Sequence, residues 1–83
     1  MADLLDKEDL RALIAEVLDV EVNEVTDEAR FVEDLEVDSL MALEIMVRLE
    51  KKYGLHLEET ELEFIATIGS TYDLLDTRLK AVS

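Results

Sequence analysis

Hydrophobic residues recur along this chain at the three- and four-residue spacing of amphipathic helices, and no strand-like alternation is present. The spacing predicts three long helices, at Lys7–Leu18, at Ser39–Tyr53 and from near Ile68 onward, with a short helix at about residues 59–66. The apolar stripe of the last helix consists of Ile68, Tyr72, Leu75, Leu79 and Val82. We therefore expect an all-α fold: a small four-helix bundle of three main helices and one short helix, with a long first loop.

Twenty residues, 19–38, connect the first two long helices, which is long for a connection in a compact domain. Apolar residues recur throughout it, and they are Val20, Val22, Val25, Phe31, Leu35 and Val37. This pattern indicates a loop anchored on the core, with a turn or short helical segment at 23–28. Ordered loops of this length are often functional. We expect residues 1–83 to form one domain.

The long loop ends in two polar residues, Asp38 and Ser39, just where the next helix begins. Either side chain can cap the first turn by accepting a hydrogen bond from a free backbone N–H group. The fuller capping box is missing, because the residues three positions further on are Met41 and Ala42. Helix capping explains why one of the two polar residues is present, and the other is not needed as a cap. A spare hydroxyl at a helix start is a candidate site for covalent attachment.

The chain is strongly acidic, with 22 acidic residues against 8 basic ones and a net charge of −14. Residues 1–38 hold fourteen of the acids and only three of the bases. Nucleic acid and anionic membranes would repel such a chain, whereas a basic protein surface would attract it. No apolar run reaches the roughly 20 residues of a membrane span, and the first residues do not resemble a signal peptide. Without cysteine there are no disulfides, so we expect a cytoplasmic protein.

The chain offers little for catalysis or metal binding. Its single histidine, His56, follows a helix and is expected to be a partly exposed loop residue, and Ser39 has no base nearby in the sequence to activate it. A calcium loop starting at Asp34 fails, because its sixth residue is Ser39 instead of glycine and its twelfth is Ile45 instead of glutamate. We therefore expect no catalytic residues and no metal site.

The segment 31–53 resembles the acyl carrier proteins of fatty-acid and polyketide synthesis. The likeness is carried by the run Asp34-Leu35-Glu36-Val37-Asp38-Ser39-Leu40 and by Leu43-Glu44 after it. It extends to the first helix, the long loop, and the Thr67-Ile68 pair that opens the last helix. The resemblance implies that Ser39 carries 4′-phosphopantetheine through a phosphodiester, with Asp38 and Leu40 beside it. The terminal thiol of the arm would hold acyl groups as thioesters, and the chain itself would catalyse nothing.

The resemblance also implies a face for partner enzymes on the helix that follows Ser39. Glu44 matches an acidic position that meets basic residues of partners, and Leu40 and Met41 match positions beside the arm. Met41 falls among the charged residues of this helix, where packing into the core does not account for it. Arg48 and two lysines give the same face a mixed charge, which is more similar to polyketide-synthase carriers than to housekeeping fatty-acid carriers.

The partners that the resemblance implies are a phosphopantetheinyl transferase, a ketosynthase, an acyltransferase or acyl ligase, and other synthase enzymes with basic docking surfaces. We expect a monomer that binds neither nucleic acid nor membrane. Two positions depart from the family pattern: Glu36 stands where glycine is frequent, and Leu57-Glu58 where proline is usual. A hypothesis from another class is an acidic helical adaptor that binds a basic protein surface without a prosthetic group. Attachment of an arm to Ser39 distinguishes the two.

Overall fold

A computed structural model describes residues 5–81 and the side chains of residues 5–80. It contains the helices α1 (Lys7–Leu18), α2 (Phe31–Asp34), α3 (Ser39–Tyr53) and α4 (Ile68–Ala81), with 3₁₀ helices at Val22–Glu24 and Glu59–Phe64. No strand occurs within the described residues, and the prediction of an all-α fold is confirmed. The predicted bounds of α1 and α3 are also correct. Val82 and Ser83 lie outside the described residues.

Local side-chain bonds explain where the helices begin. Asp6 caps α1 by accepting a hydrogen bond from the backbone N–H of Glu8 at 2.8 Å. At α4, the hydroxyl of Thr67 accepts from the N–H of Ser70 at 3.1 Å, while the hydroxyl of Ser70 accepts from the N–H of Thr67 at 3.0 Å. Thr67 and Ser70 therefore cap the start of α4 together. Gly54 ends α3 in the left-handed conformation, with φ 64°.

Two elements differ from the sequence prediction. The predicted short helix is a 3₁₀ helix that ends at Phe64, earlier than expected. The one-turn helix α2 was not predicted, because four residues are too few to show a helical period. Asp34 stabilises α2 from within by accepting a hydrogen bond from the backbone N–H of Arg30 at 2.9 Å.

One hydrophobic core joins α1, α3, α4 and the long loop. Its fully buried large side chains are Phe31, Leu10, Ile14, Ile45, Leu49, Leu57, Ile68, Leu75 and Val25. The prediction that the loop is anchored is therefore confirmed at Val25 and Phe31, and Val37 is buried as well. It is wrong at Val22, which is 46% exposed on the first 3₁₀ helix.

Arg11 fastens the first half of the long loop to α1. Its guanidinium donates hydrogen bonds to the carbonyl oxygen of Val25 and to the carboxylate of Asp27, and it also contacts Glu8 at 3.2 Å. These hydrogen bonds from Arg11 hold the pKa of the Asp27 carboxyl below its ordinary value, against the opposing effect of burial. The loop is thus bound by an ion pair in addition to its apolar anchors.

A second ion pair holds the 3₁₀ helix Glu59–Phe64 against α4. Arg78 donates to the carboxylate of Glu61, with 2.8 Å between its Nε and the Oε2 atom. Burial raises the pKa of the Glu61 carboxyl, but the hydrogen bonds from the N–H of Glu58 and from Arg78 outweigh it, and the pKa lies below its ordinary value. The segment between α3 and α4 is therefore fixed at its middle.

Phe31 holds the second half of the loop, just ahead of the candidate site. Its side chain is fully buried. Its backbone N–H donates to the carbonyl of Ala66 at 2.8 Å, and its own carbonyl accepts from the N–H of Val37 at 2.9 Å. One residue thus joins α2 to the segment that precedes α4 and closes the turn that leads to Asp38.

We predict that Phe31→Ala lowers the free energy of unfolding by about 3–5 kcal/mol, because it leaves a large cavity at the point where the loop is anchored. The matched control is Val32→Ala, since Val32 is the next residue along α2 and is 65% exposed. Urea unfolding followed by circular dichroism measures both variants. Equal midpoints for Phe31→Ala and the parent would show that the loop does not depend on this residue.

Candidate functional site

The two polar residues at the start of α3 have separate roles. Asp38 is the N-cap: its backbone is extended, with φ −93° and ψ −179°, and its carboxylate accepts a hydrogen bond from the N–H of Met41 at 2.9 Å. Ser39 is the first helical residue, and it is exposed. Within the described residues, no group forms a hydrogen bond with its hydroxyl. The cap is therefore complete without Ser39, and that hydroxyl is free.

The free hydroxyl lies at the positive end of a fifteen-residue helix. The first backbone N–H groups of an α-helix have no partner within the helix, and Asp38 takes only that of Met41. Those of Ser39 and Leu40 are left for an external acceptor. A phosphate group joined to the Ser39 oxygen would meet N–H donors and a favourable dipole.

An exposed apolar side chain accompanies the hydroxyl. Leu40, the next residue along α3, is 74% exposed. The expectation that core packing does not account for Met41 is wrong, because Met41 is half-buried and packs against the hydrophobic core. The helical wheel places Met41 among charged residues and does not show its contact with the core at the edge of the bundle. Leu40 is therefore the more exposed of the two apolar residues.

The backbone just before the site is strained at Glu36. This residue adopts φ 57°, in the left-handed region that glycine enters at little cost. A residue with a Cβ atom pays about 1 kcal/mol or more there. The position at which the family often has glycine is therefore one that requires a glycine-like conformation. The chain adopts the same turn with a glutamate, and hydrogen bonds on both sides hold it.

Carboxylates surround the approach to Ser39, and most of them have structural partners. Glu33 pairs with the guanidinium of Arg30 at 3.0 Å, and Asp34 accepts the Arg30 backbone N–H. Asp38 caps α3. Glu36 is exposed and has no bonded partner among the described residues. The segment that leads to Ser39 is therefore acidic, and the Ser39 hydroxyl is a neutral group at its end.

The residues of α3 that are expected to contact partner enzymes differ in their exposure and in their ion pairing. Glu44 is exposed, and no basic group of the described chain pairs with it. Arg48 is half-buried and its guanidinium contacts the carboxylate of Glu16 in α1 at 3.0 Å. The charge of Arg48 is therefore partly used inside the protein, whereas that of Glu44 is available.

His56 is an exposed loop residue as expected, and it contacts the carboxylates of Glu50 at 3.3 Å and Glu58 at 3.0 Å. Among residues 5–81, no group of three or more potential metal ligands lies together. The described helices include none that is both long and apolar enough to cross a membrane. The chemistry that this surface provides is concentrated in the Ser39 hydroxyl.

Comparison with known proteins gives a family. The family model described as the phosphopantetheine attachment site matches residues 8–75. A polyketide-8 synthase acyl carrier protein 2 of Streptomyces avermitilis is 63% identical over 75 residues, which is 90% of this chain and 86% of the relative. An acyl carrier protein of Wolinella succinogenes is 37% identical over 70 residues, covering 84% of this chain and 92% of the relative.

The fold agrees with the family. A solved acyl carrier protein from Enterococcus faecalis superposes with a TM-score of 0.69 at 26% identity, covering 89% of this chain and 99% of that one. The chain belongs to the phosphopantetheine-binding family of acyl carrier proteins. It carries acyl or polyketide intermediates on a covalent 4′-phosphopantetheine arm and is itself a non-catalytic carrier that works with synthase enzymes. The hypothesis of a carrier is confirmed over that of an adaptor without a prosthetic group.

We predict that Glu36→Gly raises the free energy of unfolding by about 0.5–1 kcal/mol, because relief of the left-handed strain exceeds the added flexibility of the unfolded chain. Chemical unfolding followed by circular dichroism measures the change. Glu36→Gln is the control, since it removes the charge and keeps the Cβ atom. A gain as large for glutamine as for glycine would assign the effect to crowded acids and would contradict the strain argument.

Proposed function

We propose that Ser39 is the residue to which the 4′-phosphopantetheine arm is attached. The observation that supports this most directly is the division of roles at the start of α3, where Asp38 caps the helix and leaves the Ser39 hydroxyl exposed and unbonded. A modifying enzyme can reach such an oxygen without breaking a hydrogen bond of the carrier. Ser70, the other serine among the described residues, lacks this setting, because its hydroxyl donates to the carbonyl of Phe64 at 2.7 Å.

The residues around Ser39 would support the attached group in different ways. The free N–H groups at the start of α3 would lie near the phosphodiester, and Asp38 would keep the helix start rigid. Leu40 would provide apolar surface beside the arm and the docked enzyme. The arm supplies a terminal thiol, which holds the acyl group as a thioester, so a chain without cysteine can carry acyl groups.

We propose further that the chain serves a polyketide synthase. Support comes from its 63% identity to a carrier named for such a synthase and from the mixed charge of α3. The partners would be a phosphopantetheinyl transferase, a ketosynthase, and an acyltransferase or acyl ligase. They would approach the acidic end of α3 with basic surfaces, at Leu40, Met41, Glu44 and Arg48. We also propose that residues 1–83 act as one monomeric domain in the cytoplasm.

The first prediction is that Ser39 is the only residue that receives the arm. The apo protein is incubated with coenzyme A, Mg²⁺ and a phosphopantetheinyl transferase, and intact mass followed by peptide mapping locates the addition. We expect one arm on the parent and on Ser70→Ala, and none on Ser39→Ala. Modification of Ser39→Ala, or an arm mapped to a different residue of the parent, would exclude Ser39 as the attachment site.

The second prediction concerns docking at the Ser39 end of α3. Glu44→Lys should lower kcat/KM of the transferase by about tenfold at low salt, because exposed interface charges mainly set the rate of association. The thermal melt should stay near that of the parent, since Glu44 is exposed. Asp73→Lys, which makes the same charge change at an exposed position of α4, is the matched control. If both variants were slowed equally, only net charge would matter and the proposed face would be wrong.

A further inference from the structure

Two lysines at the far end of α3 differ from every other basic residue of this acidic chain. All eight lysines and arginines lie within the described residues. Six of them lie within 4 Å of a carboxylate, and they are Lys7, Arg11, Arg30, Arg48, Arg78 and Lys80. Lys51 and Lys52 are exposed, and neither has a carboxylate partner in the described chain. Lys52 instead lies over the ring of Tyr53, with its Nζ 5.7 Å from the ring centroid. Although the chain has 22 acids, neither of these adjacent lysines pairs with one in the described chain.

Three charged residues of α3 lie along one face of the helix. Glu44, Arg48 and Lys51 follow at intervals of four and three residues, so they form one stripe. Arg48 in the middle is neutralised by Glu16 of α1. The stripe therefore presents an unpaired negative charge near Ser39 and an unpaired positive charge about 10 Å further along the axis.

A groove lies beside the positive end of the stripe. It has a volume of about 470 Å³ between α1 and α3, with Ala12 and Leu13 among its lining residues and Lys51 and Lys52 on the α3 side. The pair Glu16–Arg48 also lines it, and Asp9 contributes from α1. A side chain from outside could enter this groove and reach both lysines. The lysine surface is defined here as Lys51, Lys52 and the adjoining groove residues Ala12 and Leu13.

Lysines in the last turn also interact favourably with the negative end of the helix. The carbonyl of Glu50 at that end already accepts hydrogen bonds from the N–H groups of Gly54 at 2.9 Å and Leu55 at 3.3 Å. If Lys51 and Lys52 acted only through the helix dipole, replacing them would change the stability of the free protein and would not change its binding to a partner. The dipole effect also does not require two lysines beside an open groove.

We propose that the lysine surface is a second docking surface, which binds an acidic group on the partner enzyme while Glu44 meets a basic one. This inference rests on the proposed function, in which partner enzymes dock along α3. A partner would present opposite charges about 10 Å apart, which fixes the direction in which α3 lies on it. An enzyme that is uniformly basic along the docking site would be repelled at the lysine surface, so the arrangement selects among enzymes.

The test measures association of the arm-loaded protein with the ketosynthase of a Streptomyces polyketide synthase by stopped flow at low salt. Lys51→Glu/Lys52→Glu is compared with Lys7→Glu/Lys80→Glu, which changes the net charge equally at other sites. We expect the first variant to associate about tenfold more slowly than the parent, with a smaller change for the control. Equal rates for the two variants would overturn the proposal. A lower melting temperature for the first variant with an unchanged association rate would assign the lysines to the helix dipole and also overturn it.

A carbodiimide coupling experiment identifies the chemistry of the contact. The reagent joins a lysine amine to a nearby carboxylate as an amide, with the elements of water transferred to the reagent. Mass spectrometry of the coupled complex should find Lys51 or Lys52 joined to an aspartate or glutamate of the ketosynthase. Coupling of the ketosynthase only through Lys7 or Lys80 would contradict the lysine surface.

Measuring the intact mass before the binding experiment distinguishes a failure of the proposed function from a failure of the lysine surface. A chain that takes no arm on Ser39 overturns the proposed function, and the docking surface that rests on it falls as well. A loaded chain whose Lys51→Glu/Lys52→Glu variant associates like the control overturns the lysine surface alone.

Discussion

The position of the free serine depends on the anchorage of Phe31. Its side chain is buried in the core and its backbone bonds to Ala66 on one side and Val37 on the other. Between these contacts the chain has few ways to move before it reaches Asp38, which caps α3 and leaves Ser39 exposed. A single buried aromatic residue thus anchors the second half of the connection, while Arg11 and Val25 anchor the first half. Burial of the apolar Phe31 side chain in the core thus helps to position Ser39, a residue further along the chain.

The net negative charge of the chain opposes the compact fold, and ion pairs within the fold offset part of the repulsion. A net charge of −14 on 83 residues favours expansion through self-repulsion. Arg11 and Arg78 oppose it where it would do the most damage, because they bind the carboxylates of Asp27 and Glu61 on the segments that lack long helices. The lowered pKa values of these two carboxyls show that both prefer the ionised form in the folded state. Glu16, Glu33 and Asp76 also pair with basic residues of the chain, so part of the repulsion is relieved within the protein.

The sequence was sufficient for the long helices, since each shows several turns of regular spacing and its own caps. It could not show α2, which is too short to have a period, or the role of Arg11, whose partners are sixteen and fourteen residues away. The error at Met41 has a related cause, because a helical wheel places residues on a single helix and ignores the neighbours that reach its edge. The rule of helix capping predicted that one of Asp38 and Ser39 would be spare, and only the structure shows that Asp38 is the cap. The arrangement of long-range contacts had to come from the structure.

The strained residue Glu36 illustrates a trade-off in this small domain between the stability of the fold and the charge of the surface before Ser39. A left-handed glutamate costs free energy in a chain whose size allows only a modest core. The cost is tolerated because Phe31 and Val37 bond across the turn and leave Glu36 no alternative conformation. In exchange, an additional carboxylate stands on the acidic approach to Ser39, where glycine would provide none. A negative charge is thus placed at a position where the backbone would favour glycine, and the buried anchor of the loop makes this possible.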